Sequence, residues 1–145
     1  MKVIRVIIRA EPVPKGRPRT TMQNGRIWTF TPPKTKKAQD FIREKLERHL
    51  GQKFEAYVPV MLTATYYRTK SEYLPHREKM PVRKPDLDNF TKLLLDSVGT
   101  IKRKGSVTRE GLVADDAQIT TVHARKRWSD KGYPYITIRL EEDTL

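Results

Sequence analysis

Residues 84–98, Lys-Pro-Asp-Leu-Asp-Asn-Phe-Thr-Lys-Leu-Leu-Leu-Asp-Ser-Val, leave the chain little freedom in what it can form. Pro85 disfavours the helical region for Lys84 and predicts extended chain there. Beyond it, Phe90, Leu93, Leu94 and Val98 recur at helical spacing, so a helix is predicted over residues 88–98 with that stripe buried. Asp88 is a natural N-cap for it, and a helix N-terminus favours negative charge. In an extended chain Asp86 and Asp88 point to the same side. Asp88, Lys92 and Asp96 then share one helix face at i, i+4 and i+8. The sequence therefore gathers two carboxylates and an ammonium at one exposed helix end.

These acids stand in a basic chain. There are 30 Lys and Arg against 17 Asp and Glu, a net charge of +13. Such an excess favours nucleic acid or an anionic membrane as partner, although high solubility alone also accounts for it. Residues 1–48 carry thirteen Lys/Arg and four Asp/Glu, a net of +9, and the remainder carries +4. The candidate acids, with the later pair Asp115-Asp116, lie in the less basic part. A knot of acids repels the polyanion that the rest of the chain attracts, unless a cation sits between them. Carboxylate oxygens without Cys or His suit a hard ion, Mg²⁺ or Mn²⁺. Such an ion bridges carboxylates and phosphate and activates water, while Lys92 supplies charge to the developing phosphorane. Capping by Asp88 and pairing with Lys92 account for the same residues without any chemistry.

Other classes are excluded or unsupported. The chain has no cysteine, which excludes disulfides, thiol chemistry and Cys-ligated zinc, and fits a reducing compartment. His49, His76 and His123 are scattered without metal-ligand spacing. Lys15-Gly16-Arg17 lacks the spacing of a nucleotide phosphate loop. The N-terminal apolar run is interrupted by Arg5 and Arg9, and no run approaches membrane-spanning length, so a cytoplasmic location is expected.

The chain's 145 residues fit one domain, 1–145, large enough to bury a sizeable core. Alternation over residues 2–9 predicts a strand with Ile4, Val6 and Ile8 on one face. Asn24-Gly25 between strand formers predicts a hairpin. Ala38, Phe41, Ile42, Leu46 and Leu50 predict a helix over residues 34–50, with Gly51 as its C-terminal cap. Residues 58–67 read as a strand and 68–83 as a long loop. Residues 99–114 read as a basic connection. Residues 117–128 and 133–140 read as a closing antiparallel pair. The sum is an α+β domain, two main helices packed on a mixed sheet.

Lys84-Pro85-Asp86-Leu87-Asp88-Asn89 with Lys92, Asp96 in the same helix, and Asp115-Asp116-Ala117-Gln118 before a strand closely resemble the RusA family of Holliday junction resolvases. Lys15-Gly16-Arg17-Pro18-Arg19, Thr31-Pro32 and Lys34-Thr35 are similar to its phage and prophage versions. The resemblance implies a RusA-like fold in a homodimeric, Mg²⁺-dependent endonuclease that cuts four-way DNA junctions symmetrically. It implies that Asp86, Asp88 and Asp116 are the essential metal-binding acids and Lys92 the functional lysine. Asp115 matches the neighbouring acid. The 68–83 loop and the 99–114 connection differ from compact members of the family.

Lys15, Arg17 and Arg19 form a restricted basic cluster suited to phosphate contacts. Trp28 and Phe30, on the hairpin beside it, suit either stacking on bases or the core. Lys102, Arg103 and Lys104 form a second cluster, either a phosphate surface or a solvated loop. Three functions remain open from the residues: a junction-resolving endonuclease, a non-catalytic DNA-binding module, and a metal-dependent nuclease with broader branched-DNA or RNA substrates.

Overall fold

Strand β1, Val3–Ile8, carries the predicted alternation, with Ile4, Val6 and Ile8 buried between exposed Arg5 and Ile7. The computed structural model describes residues 2–145. Then come a hairpin, β2 (Arg19–Gln23) and β3 (Arg26–Phe30), helix α1 (Pro33–Glu47) and strand β4 (Val60–Arg68). Helix α2 (Leu87–Val98), a short hairpin of β5 (Ile101–Arg103) and β6 (Ser106–Arg109), and strands β7 (Ile119–Trp128) and β8 (Tyr135–Glu142) complete the order. This is the α+β domain expected, two helices on a mixed sheet. Among the described residues no helix is long and apolar enough to cross a membrane.

The main sheet runs β1-β8-β4-β7. β8 is antiparallel to both β1 and β4, and β7 is parallel to β4. The predicted β7–β8 pair therefore does not form. The reason lies in their side chains. β8 buries Tyr135, Ile136, Ile138 and Leu140, which a central position satisfies, whereas β7 is mostly polar and takes the edge. The parallel β4–β7 pair needs a crossover, and α2 with the β5–β6 hairpin supplies it.

In register, Ile4, Leu140 and Leu62 stand side by side, as do Val6, Ile138 and Ala64, and Ile8, Ile136 and Tyr66. Ile42 and Leu46 of α1 and Phe90, Leu93, Leu94 and Val98 of α2 cover this face. Leu112 and Val113 are wholly buried with them. Tyr66 lies 5.2 Å from Phe90, ring centre to ring centre, and donates its hydroxyl to Thr91 Oγ1 at 3.2 Å. Burial of these apolar side chains is the main term holding the helices to the sheet, at about 1.5–3 kcal/mol for each large residue.

Three local expectations are corrected. α1 ends at Glu47, and Leu50–Gln52 forms a separate 3₁₀ turn, so Gly51 caps nothing. α2 begins one residue before Asp88: Asp86 is the N-cap and Asp88 sits in the first turn. The 99–114 connection contains a hairpin whose turn residues, Lys104 and Gly105, have φ of 51° and 78°. Its strands were too short and polar to carry a periodic signal.

Candidate functional site

Two local devices place the segment 14–18 over the start of α2. The Lys15 backbone N–H donates to the Asn89 carbonyl at 3.0 Å. The Gly16 N–H donates to Thr35 Oγ1, in the first turn of α1, at 2.8 Å. A Cβ at residue 16 would stand 2.8 Å from that hydroxyl oxygen and 3.1 Å from Pro32 Cγ, so only glycine lets the segment pass this closely. Pro14 and Pro18 restrict it on either side.

The segment and the helix end enclose an open cleft of about 730 Å³, lined by Lys15, Arg17, Lys84, Asp86, Asn89 and Lys92 with prolines between them. Asp86 makes no side-chain bond to the helix it caps. Its carboxylate is therefore available to a ligand. Asp88, one turn below Lys92, pairs with it at 3.5 Å. From the far side, Lys126 Nζ donates to the carbonyls of Arg83 and Pro85 at 3.1 and 3.0 Å. This edge-strand lysine holds the backbone leading into Asp86, a role its position in the sequence does not signal.

Asp116 lies elsewhere. It stands against Gly99, where a Cβ would come within 3.6 Å of the Asp116 Cβ, beside the C-terminal end of α2. A second cavity of about 330 Å³ is lined there by Arg43, Asp96, Gly99, Lys102, Asp115 and Asp116 among others. Asp115 caps the 3₁₀ turn Asp116–Gln118, accepting from the Ala117 N–H at 2.8 Å. Gln118 closes the same box and anchors it. Its Oε1 accepts from the Ala114 N–H at 2.9 Å, and its Nε2 donates to the carbonyls of Glu55 and Val58.

The charges in this second group oppose one another. Partial desolvation, and then the neighbouring Asp115 and Asp96 carboxylates, push Asp116 above the usual carboxylate range. Its partner moves the other way: the Ala117 N–H, first, and hydrogen bonding with Asp116 hold Asp115 below that range. A cation nearby would relieve this repulsion. Lys15 offsets the charge of Asp96 alone, its ammonium lying 2.7 Å from Asp96 Oδ2.

The predicted acids thus fall into two groups. Asp86 and Asp88 are at one end of α2 and Asp116, with Asp115 and Asp96, is at the other. The 12-residue helix between them is ~18 Å long. Among the described residues no three His, Asp or Glu side chains come together as a metal site. The donors suit a hard cation in kind, but one chain by itself does not converge them. Lys15 and Arg17 line the Asp86 cleft with Lys92, and Arg19 is exposed at the base of the hairpin.

Sequence reasoning missed Arg43. It is buried on α1, donating to the Gly99 carbonyl at 2.7 Å and to the Asp96 carbonyl. It therefore fastens the C-terminal end of α2 where Asp116 rests. It follows Ile42 without belonging to the apolar stripe, so the periodic pattern carried no signal for its burial.

The family model described as Endodeoxyribonuclease RusA matches residues 10–141. The span takes in the segment over the cleft, both helices and both acidic groups. The chain is also 24% identical over 148 residues to the uncharacterized protein YqaN of Bacillus subtilis (strain 168), covering 96% of this chain and 97% of that protein.

Proposed function

Because the chain belongs to the RusA family of endodeoxyribonucleases, we propose that it resolves four-way DNA junctions by paired, Mg²⁺- or Mn²⁺-dependent cleavage. We take it to act in the cytoplasm as a homodimer. The observation that carries this reading is the cleft in which a free Asp86 carboxylate stands among Lys15, Arg17, Lys84 and Lys92. A phosphodiester entering it meets Arg17, Lys84 and Lys92 as counter-charges, and the N-terminal end of α2 adds the field of its unpaired N–H groups.

In this reading Asp86, Asp88 and Asp116 hold the ion, which supplies Lewis-acid charge and an activated water when bound. Since the helix separates Asp116 from the other two within a chain, a complete set requires a second copy. Two molecules related by a two-fold axis pair Asp86 and Asp88 of one with the partner's Asp116. The same axis generates two equal sites for symmetric incision of a four-armed substrate. Lys92 neutralises phosphate charge beside Asp88, and the Asp96–Lys15 pair orients the segment above.

The test is cleavage in Mg²⁺ and in chelator, comparing a four-way junction, a fork, linear duplex and single-stranded DNA. Mg²⁺-dependent cutting concentrated on the junction is expected. Binding without cleavage in any metal would leave a non-catalytic binding module, and equal cutting of forks or RNA would leave a broader nuclease. Asp86→Asn, Asp88→Asn and Asp116→Asn should each lower single-turnover cleavage by orders of magnitude while binding in chelator persists or tightens.

A further inference from the structure

Among the described residues the β2–β3 ribbon pairs only with itself, and all ten of its residues are exposed. A two-stranded ribbon with no covering layer is marginal in water, so its side chains call for a partner. Its register sorts them. Arg19 stands opposite Phe30, Thr21 opposite Trp28 and Gln23 opposite Arg26. These six share one face, with Thr20, Thr29, Met22 and Ile27 on the other. The first face is thus two aromatic rings with an arginine at each end. Trp28 is 53% exposed and Phe30 42%, so neither belongs to the core.

Charge selects the partner. From residue 12 to residue 39 the chain has Lys15, Arg17, Arg19, Arg26, Lys34, Lys36 and Lys37 and no acidic residue. That span includes the whole ribbon and leads directly from Arg17 and Pro18 of the cleft. A nucleic acid matches this face on both counts, offering phosphates for the arginines and π-faces for the rings. In a continuous duplex the base faces are covered by their neighbours. At a branch point they are not.

We propose that the Arg19–Phe30–Trp28–Arg26 face of the ribbon is a stacking platform for unstacked bases at the branch point of DNA. The inference rests on the DNA-directed reading above and adds how a branch is told from a duplex. The arginines hold the flanking phosphates, and Trp28 and Phe30 take the exposed bases. The tight Asn24-Gly25 turn, with φ of 51° and 74°, keeps the ribbon end narrow enough to enter between arms.

Tryptophan fluorescence reads this directly, because the chain has two tryptophans and the other, Trp128, is half-buried with its indole N–H on the Glu78 carbonyl. The full chain is titrated in chelator with a four-way junction and with a duplex of equal length, binding being followed in parallel by gel shift. Junction binding should quench the parental emission, and Trp28→Phe should bind but show no quench. Trp28→Ala with Phe30→Ala should weaken junction binding roughly ten- to a hundredfold, leave duplex binding within about twofold, and leave the salt dependence unchanged, because stacking releases no counterions. A junction shift without any quench overturns the platform and leaves the nuclease reading intact. Absence of any junction binding overturns both. A double variant that falls to half the parental mass in light scattering without DNA shows the ribbon to be a subunit arm, and also overturns the proposal.

Discussion

The ammonium of Lys15 and the carboxylate of Asp96 lie 2.7 Å apart, tying the segment over the cleft to the acidic group at the C-terminal end of α2. Both side chains are about one-third exposed, so the pair is worth at most about 1 kcal/mol to the fold. Its larger consequence is for DNA. A cation already matched by an acid releases fewer counterions from DNA than a free one.

Single substitutions separate the members of the basic cluster. Arg17→Ala and Arg19→Ala should each flatten the dependence of log K on log salt by about 0.9 for a duplex contact. Lys15→Ala should change it much less, and Asp96→Asn should steepen it by freeing Lys15. Affinity measured across a salt series checks all four. A Lys15→Ala slope as reduced as that of Arg17→Ala contradicts the pairing.

Subunit mixing tests where the acids meet. In the proposed dimer, Asp86→Asn and Asp116→Asn should each be inactive alone. When the two are exchanged, a mixed dimer carries both lesions in one site and none in the other if each site draws on two chains. Nicking of a single strand per junction should then return. If the acids of a site come from one chain, every site keeps a lesion and the mixture stays inactive.

Arg43→Ala should destabilise the fold by about 2–4 kcal/mol, because it strips a buried donor from the last carbonyls of α2 and leaves them without partners. Burial, first, lowers the Arg43 pKa. Arg43→Lys should recover only part, since one ammonium does not reproduce the two-pronged contact. Urea midpoints with unchanged slopes measure both.

Tyr66 gives the fold an alkaline limit. Burial, opposed by its bond to Thr91, raises its pKa from 10.0 to about 12. The folded chain therefore keeps a proton that the unfolded chain gives up. Its stabilisation is fully present below pH 10 and is lost as pH rises toward 12, by about 2–3 kcal/mol. Phenolate absorbance should show Tyr66 ionising late, and Tyr66→Phe should flatten the fall in stability across that window. A Tyr66 that titrates with the exposed tyrosines refutes its burial.

Where a signal is local, the chain announces it. The alternation of β1, the apolar stripe of α2, the Asn24-Gly25 turn and the Asp-Leu-Asp-Asn box at the start of α2 each follow from side chains a few residues apart, and each is found in place. The α+β class follows from them, because strand and helix periods are set within single elements. What is decided between distant residues was not legible. Sheet order turns on β8 being apolar enough to need two neighbours, so β7 goes to the edge beside β4 instead of pairing with the strand that follows it. Gly16 is a glycine because Pro32 and Thr35 close in on it from α1. Trp28 and Phe30 have a composition that suits a core, and only the absence of a layer over the ribbon puts them in solvent. The two acidic groups are neighbours in composition but sit at opposite ends of α2, because a rigid helix sets the distance between its ends whatever charges it carries.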